Sequence, residues 1–257
     1  MTTEHRADPA RALRLLWRAP GAGGPHRRGP KQALSIGAVV RAATGLADDG
    51  GLDGLTMRRV AERLGVTPMT LYTYVPGKAE LLDLMLDTAY LRMPRAAYAD
   101  APWRARLTAV ARENRELYRR HPWAAARPAS RPPLGPGAMA KYEHELAAFD
   151  GLGLDDVTTD AALTFLLGFV ESAVRTEART HAAARDSALT DEQWWAAASP
   201  VLATVFDPGR YPRAARIGTA AGEAHRGAYA PEHAFAFGLE RVLDGLAALV
   251  EPVRPTR

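Results

Sequence analysis

Between Thr56 and Lys78 the chain reads TMRRVAERLGVTPMTLYTYVPGK. This stretch narrows the available folds more than any other. Met57, Val60, Ala61 and Leu64 recur at three- and four-residue steps, with Arg58, Arg59, Glu62 and Arg63 outside that stripe, as an amphipathic helix requires. Thr56 stands where an N-cap belongs, and Gly65 stops the helix. Two residues later Thr67 caps a second helix, with Pro68 at its favoured first position, and Pro76-Gly77 ends it. Two helices joined by a short glycine-containing turn form a helix-turn-helix, whose second helix reads the DNA major groove while the first crosses the backbone.

The second helix carries the chemistry such a role needs. Leu71 and Val75, four apart, would anchor it to a core, leaving Pro68, Met69, Thr70, Tyr72, Thr73 and Tyr74 on the outward side. Hydroxyls can meet phosphates and base edges, and Met69 and the threonine methyls can touch a thymine methyl. Lys78 opens the next helix, where its ammonium and the free backbone N–H groups could grip a phosphate together. The competing reading is an ordinary helical hairpin with its tyrosines in a core.

The rest of the chain is helical in pattern. Ser35 caps a helix with Ile36, Val39, Val40, Ala43 and Leu46 or Ala47 on one face, ended by DDGGLDG. Further helices are expected over 80–93, 102–119, 138–149, 155–185, 191–206 and 231–250, and few stretches alternate with strand period. The expected fold class is therefore all-α, with an N-terminal three-helix helix-turn-helix domain followed by a helical ligand-binding and dimerisation domain. The expected organisation is a flexible basic arm over 1–33, the DNA-binding domain over 34–80 and the second domain over 81–257. Leu13, Leu15, Leu16 and Trp17 form a short apolar piece within the arm, and GAGGPHRRGPK follows it.

Charge supports a polyanionic partner. Residues 1–31 hold seven basic against two acidic side chains, whereas 32–95 balance and the remainder is nearly neutral. A basic tail is drawn to polyanions, and Arg27, Arg28 and Lys31 are candidates for the minor groove. The chain has no cysteine, which excludes disulfides, thiolate metal sites and thiol nucleophiles and suits a reducing compartment. Neither a signal-peptide core nor an apolar run of about 18 residues is evident, so the expectation is a soluble cytoplasmic protein with no membrane partner. No Gly-x-Ser-x-Gly, His-Glu-x-x-His or phosphate-loop pattern is present, so no enzyme activity is expected. Asp48-Asp49 and Asp155-Asp156 fall at helix ends, where capping explains them.

With these residues in view, the chain resembles the TetR family of bacterial repressors. The matching words are LTMRRVAERLGV and TLYTYVPGKAELL in the DNA-binding half, and more loosely HPWAAAR, RPPLGPGAMAKYEHELAAFDGLGL, FLLGFVESA and FAFGLERVLDGLAALV beyond it. The resemblance implies a homodimer that binds double-stranded operator DNA and is released when a small-molecule effector enters the C-terminal domain. A repressor that needs no effector is the alternative. It implies DNA contacts from Thr56, Arg58, Thr67, Pro68, Met69, Thr70, Tyr72, Thr73, Tyr74 and Lys78. Pro68 and Thr73 replace a glutamine and a tryptophan of the tetracycline repressor, which implies a different operator.

For the sensor half, effector-pocket candidates are Trp103, His121, Trp123, Met139, Tyr142, Phe165 and Phe169, where aromatic and polar groups mix. A dimer interface is expected on Ala162, Leu166, Phe169 and Ala173 together with Phe235, Leu239, Val242 and Leu246, two stripes that would form a four-helix bundle with a second copy. Glu143, His144 and Glu145 in YEHEL are expected on a solvated face. Glu177 and His181 are four apart, a spacing that can hold a metal, but no third ligand is evident. No cofactor is expected; the tetracycline repressor's magnesium–drug chelate is the one form the resemblance brings to mind for a metal here.

Overall fold

A computed structural model describes residues 9–18, 34–98, 100–127, 131–227 and 229–250. Among them the regular elements are all helical: α1 (Pro9–Leu16), α2 (Ile36–Gly50), α3 (Met57–Leu64), α4 (Pro68–Tyr72), α5 (Lys78–Arg92), α6 (Trp103–Arg120), α7 (Pro122–Ala125), α8 (Pro136–Ala147), α9 (Asp156–Ser187), α10 (Asp191–Val205), α11 (Pro212–His225) and α12 (Pro231–Val250). The chain divides into two compact units, residues 1–164 and 165–257, with α9 running through the boundary.

In the first unit the local signals act as expected. Ser35 Oγ accepts from the Ala38 N–H at 3.1 Å, and Thr56 and Thr67 Oγ1 each accept at 3.2 Å from the N–H three residues on. Each such cap contributes about 1 kcal/mol. Gly65 is left-handed at φ 66°, and the Val66 N–H returns to the Ala61 carbonyl at 3.0 Å, closing the α3 C-terminus. Val39, Ala43, Val60, Ala61, Leu71 and Val75 are sealed between α2, α3 and α4.

α5 is the spine of this unit, packing against α1, α2 and α8. Asp87, buried on α5, accepts from the Ala138 N–H at 2.9 Å and so caps the start of α8 from a neighbouring helix. Gly135 and Gly137 permit this approach, since a side chain at either would meet Asp87. Burial raises the Asp87 carboxyl above its ordinary pKa, and the Ala138 and Gly137 N–H groups and Arg18 partly offset the rise.

Within the expected arm, the apolar piece at residues 9–18 is helical and docked. Helix α1 docks on α5: Leu16 is buried, and the Trp17 indole N–H donates to the Leu134 carbonyl at 2.7 Å. The apolar side of RALRLLW has a surface to cover, so it orders the chain despite three neighbouring arginines. Arg27, Arg28 and Lys31 lie outside the described residues.

The region between α10 and α12 also differs. Residues 212–225, in which the sequence reading placed no helix, form α11, with Pro212 in its first turn. Helix α9 is long and apolar enough, by length and composition, to cross a membrane. Ala162, Leu163, Leu166, Val170 and Val174 are buried along one side of it, and a Glu171–Arg175 ion pair spans 3.0 Å on another.

Candidate nucleic-acid interface and sensor core

The segment from Thr67 to Lys78 is held from beneath. Leu71 and Val75 are fully buried, and each contributes about 1.5–3 kcal/mol by leaving water. On the other side Met69 is 75% exposed and Tyr72 45%, with Pro68, Thr70 and Thr73 exposed beside them. Five consecutive-turn positions therefore share an outward rim, and large apolar side chains are left in water there for a partner to cover. The helix itself is shorter than expected, ending at Tyr72. Thr73, Tyr74 and Val75 continue it as a tightened turn, through Thr73 N–H to Thr70 O at 3.2 Å and Val75 N–H to Leu71 O at 3.0 Å, and Tyr74 is half-buried.

The threonine hydroxyls have local partners. Thr67 and Thr70 Oγ1 are 2.9 Å apart, and Thr73 Oγ1 donates to the Thr70 carbonyl at 2.7 Å. These bonds hold the hydroxyls locally while all three threonines stay exposed. Thr56 is committed to capping α3 but exposed. Arg58 pairs with Glu62 at 2.9 Å, with side chains 82% and 58% exposed, a pair that water screens and that contributes little. Lys78 Nζ donates to the Leu52 carbonyl at 2.9 Å and is exposed at the start of α5.

The sensor-half residues fall into different places. His121 ends α6 and precedes α7; its Nδ1 lies 2.8 Å from Asp48 Oδ1, and the buried Trp123 indole N–H donates to the same oxygen at 2.7 Å. Asp48 is thus a tie between the end of α2 and α7 rather than a simple helix-end charge. Asp48 and Asp49 are both exposed, so sequence gives no sign of which one makes the tie. Replacing Asp48 by alanine leaves the buried Trp123 N–H without an acceptor, and we expect a loss of about 1–3 kcal/mol, measured by urea unfolding; an unchanged midpoint would deny the tie any role. A second tie joins Arg127 to Asp83 on α5.

Trp103 is half-buried with the Arg104 guanidinium 4.9 Å above its ring, and Met139 is exposed. Tyr142 donates to Asp160 at 2.7 Å at the edge of a depression of about 340 Å³ that Phe149 and Thr159 also line. In the second unit Phe165 is 56% exposed, and Phe169 stacks on Phe235 at 5.6 Å. A larger cavity in that unit, about 470 Å³, is lined from α10 and α11 and by none of the seven expected residues.

YEHEL is the clearest correction. Glu145 is only 1% exposed and His144 is mostly enclosed, whereas Glu143 faces solvent. Lys141 Nζ meets Glu145 Oε1 at 2.7 Å, Asn114 Nδ2 donates to the same oxygen at 2.5 Å, and His144 Nε2 lies 2.8 Å from Glu113 and 2.7 Å from the Tyr98 hydroxyl. Burial pushes the Lys141 pKa down, opposed by Glu145, and pushes the Tyr98 hydroxyl well up, aided by Glu113 and Glu145. Lys141 and Glu145 pair within α8 at i,i+4, while Glu145 and His144 find further partners on other segments in Asn114, Glu113 and Tyr98, which helical periodicity does not report.

The residues of the two expected dimer stripes also serve the subunit itself. Ala162, Leu166, Phe235, Leu239, Val242 and Leu246 are at most 8% exposed in the single subunit, so its own core consumes them. The exposed large apolar groups on these helices in the second unit are Phe165, Phe237 and Leu249. Glu177 is buried on α9, and among the described residues no three His, Asp or Glu side chains gather as a metal site. The donor set around Glu177 and His181 therefore does not fit a protein-held metal.

Comparison with known proteins agrees with this architecture. Residues 39–85 match the profile of bacterial regulatory proteins of the tetR family, and residues 97–250 match the tetracyclin repressor-like C-terminal domain. The chain is 44% identical over 250 residues to the HTH-type transcriptional repressor DrrR1 of Streptomyces coeruleorubidus, covering 96% of this chain and 89% of that one. It is 31% identical over 220 residues to the class A tetracycline repressor from transposon 1721 in Escherichia coli, covering 83% and 91%. The fold is similar to that of ActR from Streptomyces coelicolor in complex with actinorhodin, with a TM-score of 0.71 at 24% identity over 86% of this chain and 99% of that one. With both halves of the chain matched and a helix-turn-helix whose reading face is built and exposed, the protein belongs to the TetR family of transcriptional regulators.

Proposed function

We propose that the protein is a homodimeric repressor that binds a two-fold operator through α4 and leaves it when a small-molecule effector binds the C-terminal half. The observation that carries the DNA-binding part is the rim of Pro68, Met69, Thr70, Tyr72 and Thr73, exposed above the sealed Leu71 and Val75. Met69 and the threonine methyls suit thymine, Tyr72 and Thr70 suit phosphate or base edges, and Arg58 can exchange its screened partner Glu62 for a base. Lys78 can exchange the Leu52 carbonyl for a phosphate. A repressor acting this way works with the DNA in the cytoplasm.

Support for the effector comes from the ligand-bound state named for ActR and from the resemblance to the tetracycline repressor. In this reading α5 is the lever: it begins at Lys78 beside the reading helix and is tied to the segment after α7 through Asp83 and to α8 through Asp87. A change in its tilt would alter the distance between two reading heads, which must match about 34–36 Å on B-DNA. The second copy would pack on the exposed Phe165, Phe237 and Leu249, with the buried stripes supporting them from behind.

The test is a gel-shift titration on the DNA flanking the gene. Tyr72→Ala should weaken specific binding by at least tenfold, about 1.4 kcal/mol, with unchanged circular dichroism because the side chain is exposed. Lys78→Ala should weaken binding on all sequences and lower the salt slope by about one. Equal affinity of wild type and Tyr72→Ala would remove α4 from the groove. A complex that no small molecule disrupts would favour a repressor without an effector.

A further inference from the structure

The cavity between α10 and α11 belongs to neither the DNA-reading face nor the polar core described above, and its shape is specific. On α10, Trp195, Ser199 and Leu202 recur at four- and three-residue steps and share one face, and Phe206 follows directly after the helix end. The opposing wall is α11, where Ala214, Ala215, Gly218, Thr219 and Gly222 leave almost no side-chain bulk. At one end the wall is closed: a β-carbon on Gly222 would come within 2.7 Å of the Trp195 ring, so the indole lies directly on that glycine. At the other end Phe206 packs beside Tyr211 with ring centroids 5.8 Å apart. Between the two ends a β-carbon on Gly218 would meet nothing within 4 Å. The result is a slot of about 470 Å³, flat on the α11 side and aromatic on the α10 side.

We infer that this slot is a binding site for a planar, mostly apolar aromatic molecule carrying a cationic amine. Its volume lies in the range of about 300–1,000 Å³ typical of small-molecule sites, and its lining is apolar with a few polar groups, as such sites are. The flat glycine–alanine wall and the indole accept a ring system face-on. Ser199 and Thr219 supply hydroxyls along the slot, and Glu223, the one charged residue of the lining, stands beside Gly222 at the Trp195 end. A single carboxylate without a basic residue in the lining selects for positive charge. Of the exposed large apolar side chains of α10, Leu202 lines the slot, whereas Trp194, Val201 and Val205 lie outside it and offer a second copy of the chain a different surface.

Occupancy rests on this geometry; only its use as the release signal rests on the effector reading. The full-length protein, free of DNA, is titrated by calorimetry with proflavine, a cationic fused three-ring probe, and with 9-anthracenecarboxylate, an anion of similar size. Wild type should bind proflavine with quenching of tryptophan fluorescence, and the anion at least tenfold more weakly. Gly218→Leu should fill the slot and abolish proflavine binding, with circular dichroism and size-exclusion profile unchanged, and Ala215→Leu on the same wall should behave alike. Glu223→Gln should reduce the preference for the cation by about tenfold. Absence of proflavine binding by wild type, or its retention in both leucine variants, overturns the assignment. So does a change of oligomeric size in both, which would give the slot to a second chain. Operator binding measured on the same samples separates the two readings: wild type that binds proflavine but no operator fails as a repressor while the slot stands.

Discussion

Replacing Lys141 by methionine should destabilise the protein by about 3–5 kcal/mol, the cost of removing one partner from a buried ion pair. Lys141 and Glu145 side chains are 8% and 1% exposed, with the ammonium 2.7 Å from Oε1 and 2.8 Å from Oε2. The ammonium also stands 5.2 Å above the Tyr90 ring. Without it the Glu145 carboxylate keeps the Asn114 amide as a donor from a facing helix but no opposite charge beside it, too little to replace lost water. At this chain length the melting temperature should fall by roughly 6–20 °C. The double variant Lys141→Met/Glu145→Leu should recover most of the loss, because no charge is then left unpaired. Thermal and urea unfolding of both single variants and the double variant measure the coupling directly. If Lys141→Met melts with the wild type, the pair does not stabilise the fold.

The second large effect is expected at Gly137. A β-carbon there would run into the Asp87 carbonyl oxygen, with the Asp87 carbonyl carbon at 2.8 Å and the Leu91 nitrogen at 2.9 Å. All three are backbone atoms of α5 in its interior, so no rotamer change can relieve the clash, and α8 must move away as a body. Gly137→Ala should therefore cost about 3 kcal/mol, a fall of roughly 6–12 °C in melting temperature. The same displacement pulls the Ala138 N–H from Asp87, whose 2.9 Å bond holds the two helices in register. Since α5 begins at Lys78, operator affinity should fall along with stability. Gly218→Ala is the control: it sits inside α11 with nothing within 4 Å, and alanine there should stabilise by about 0.5–1 kcal/mol. Two Gly→Ala changes of opposite sign in one protein separate helix propensity from close packing. Equal effects at the two positions would show that the α5–α8 crossing is looser than its geometry indicates.

These two sites also mark the limits of reading the chain unaided. The first three helices of the DNA-binding half, α2 to α4, were legible to within a few residues, because every signal that sets them is local. Ser35, Thr56 and Thr67 cap the residue three ahead, Pro68 occupies a first turn, and Gly65 takes a left-handed conformation that other residues avoid. The outward rim of α4 follows from the same logic, since Leu71 and Val75 can only point inward if the helix is to pack at all.

Beyond that point the sequence showed which residues are apolar but not what covers them. The stripes on α9 and α12 are legible as apolar, but only the packed subunit shows that six of their eight residues are buried within it. His144 and Glu145 read as a solvated helix face, because the partners that make their burial tolerable, Glu113, Tyr98 and Asn114, lie on other segments. Asp48 looked like a terminal charge until His121 and Trp123, more than seventy residues away, were seen to share its oxygen. The α11 wall was passed over since Ala, Gly and Thr carry no strong periodic signal. Local backbone chemistry is written in neighbouring residues and needs only a few of them at a time. Which face is buried, which charges meet and where a slot opens depend on contacts between distant segments, and only the packed helices decide those.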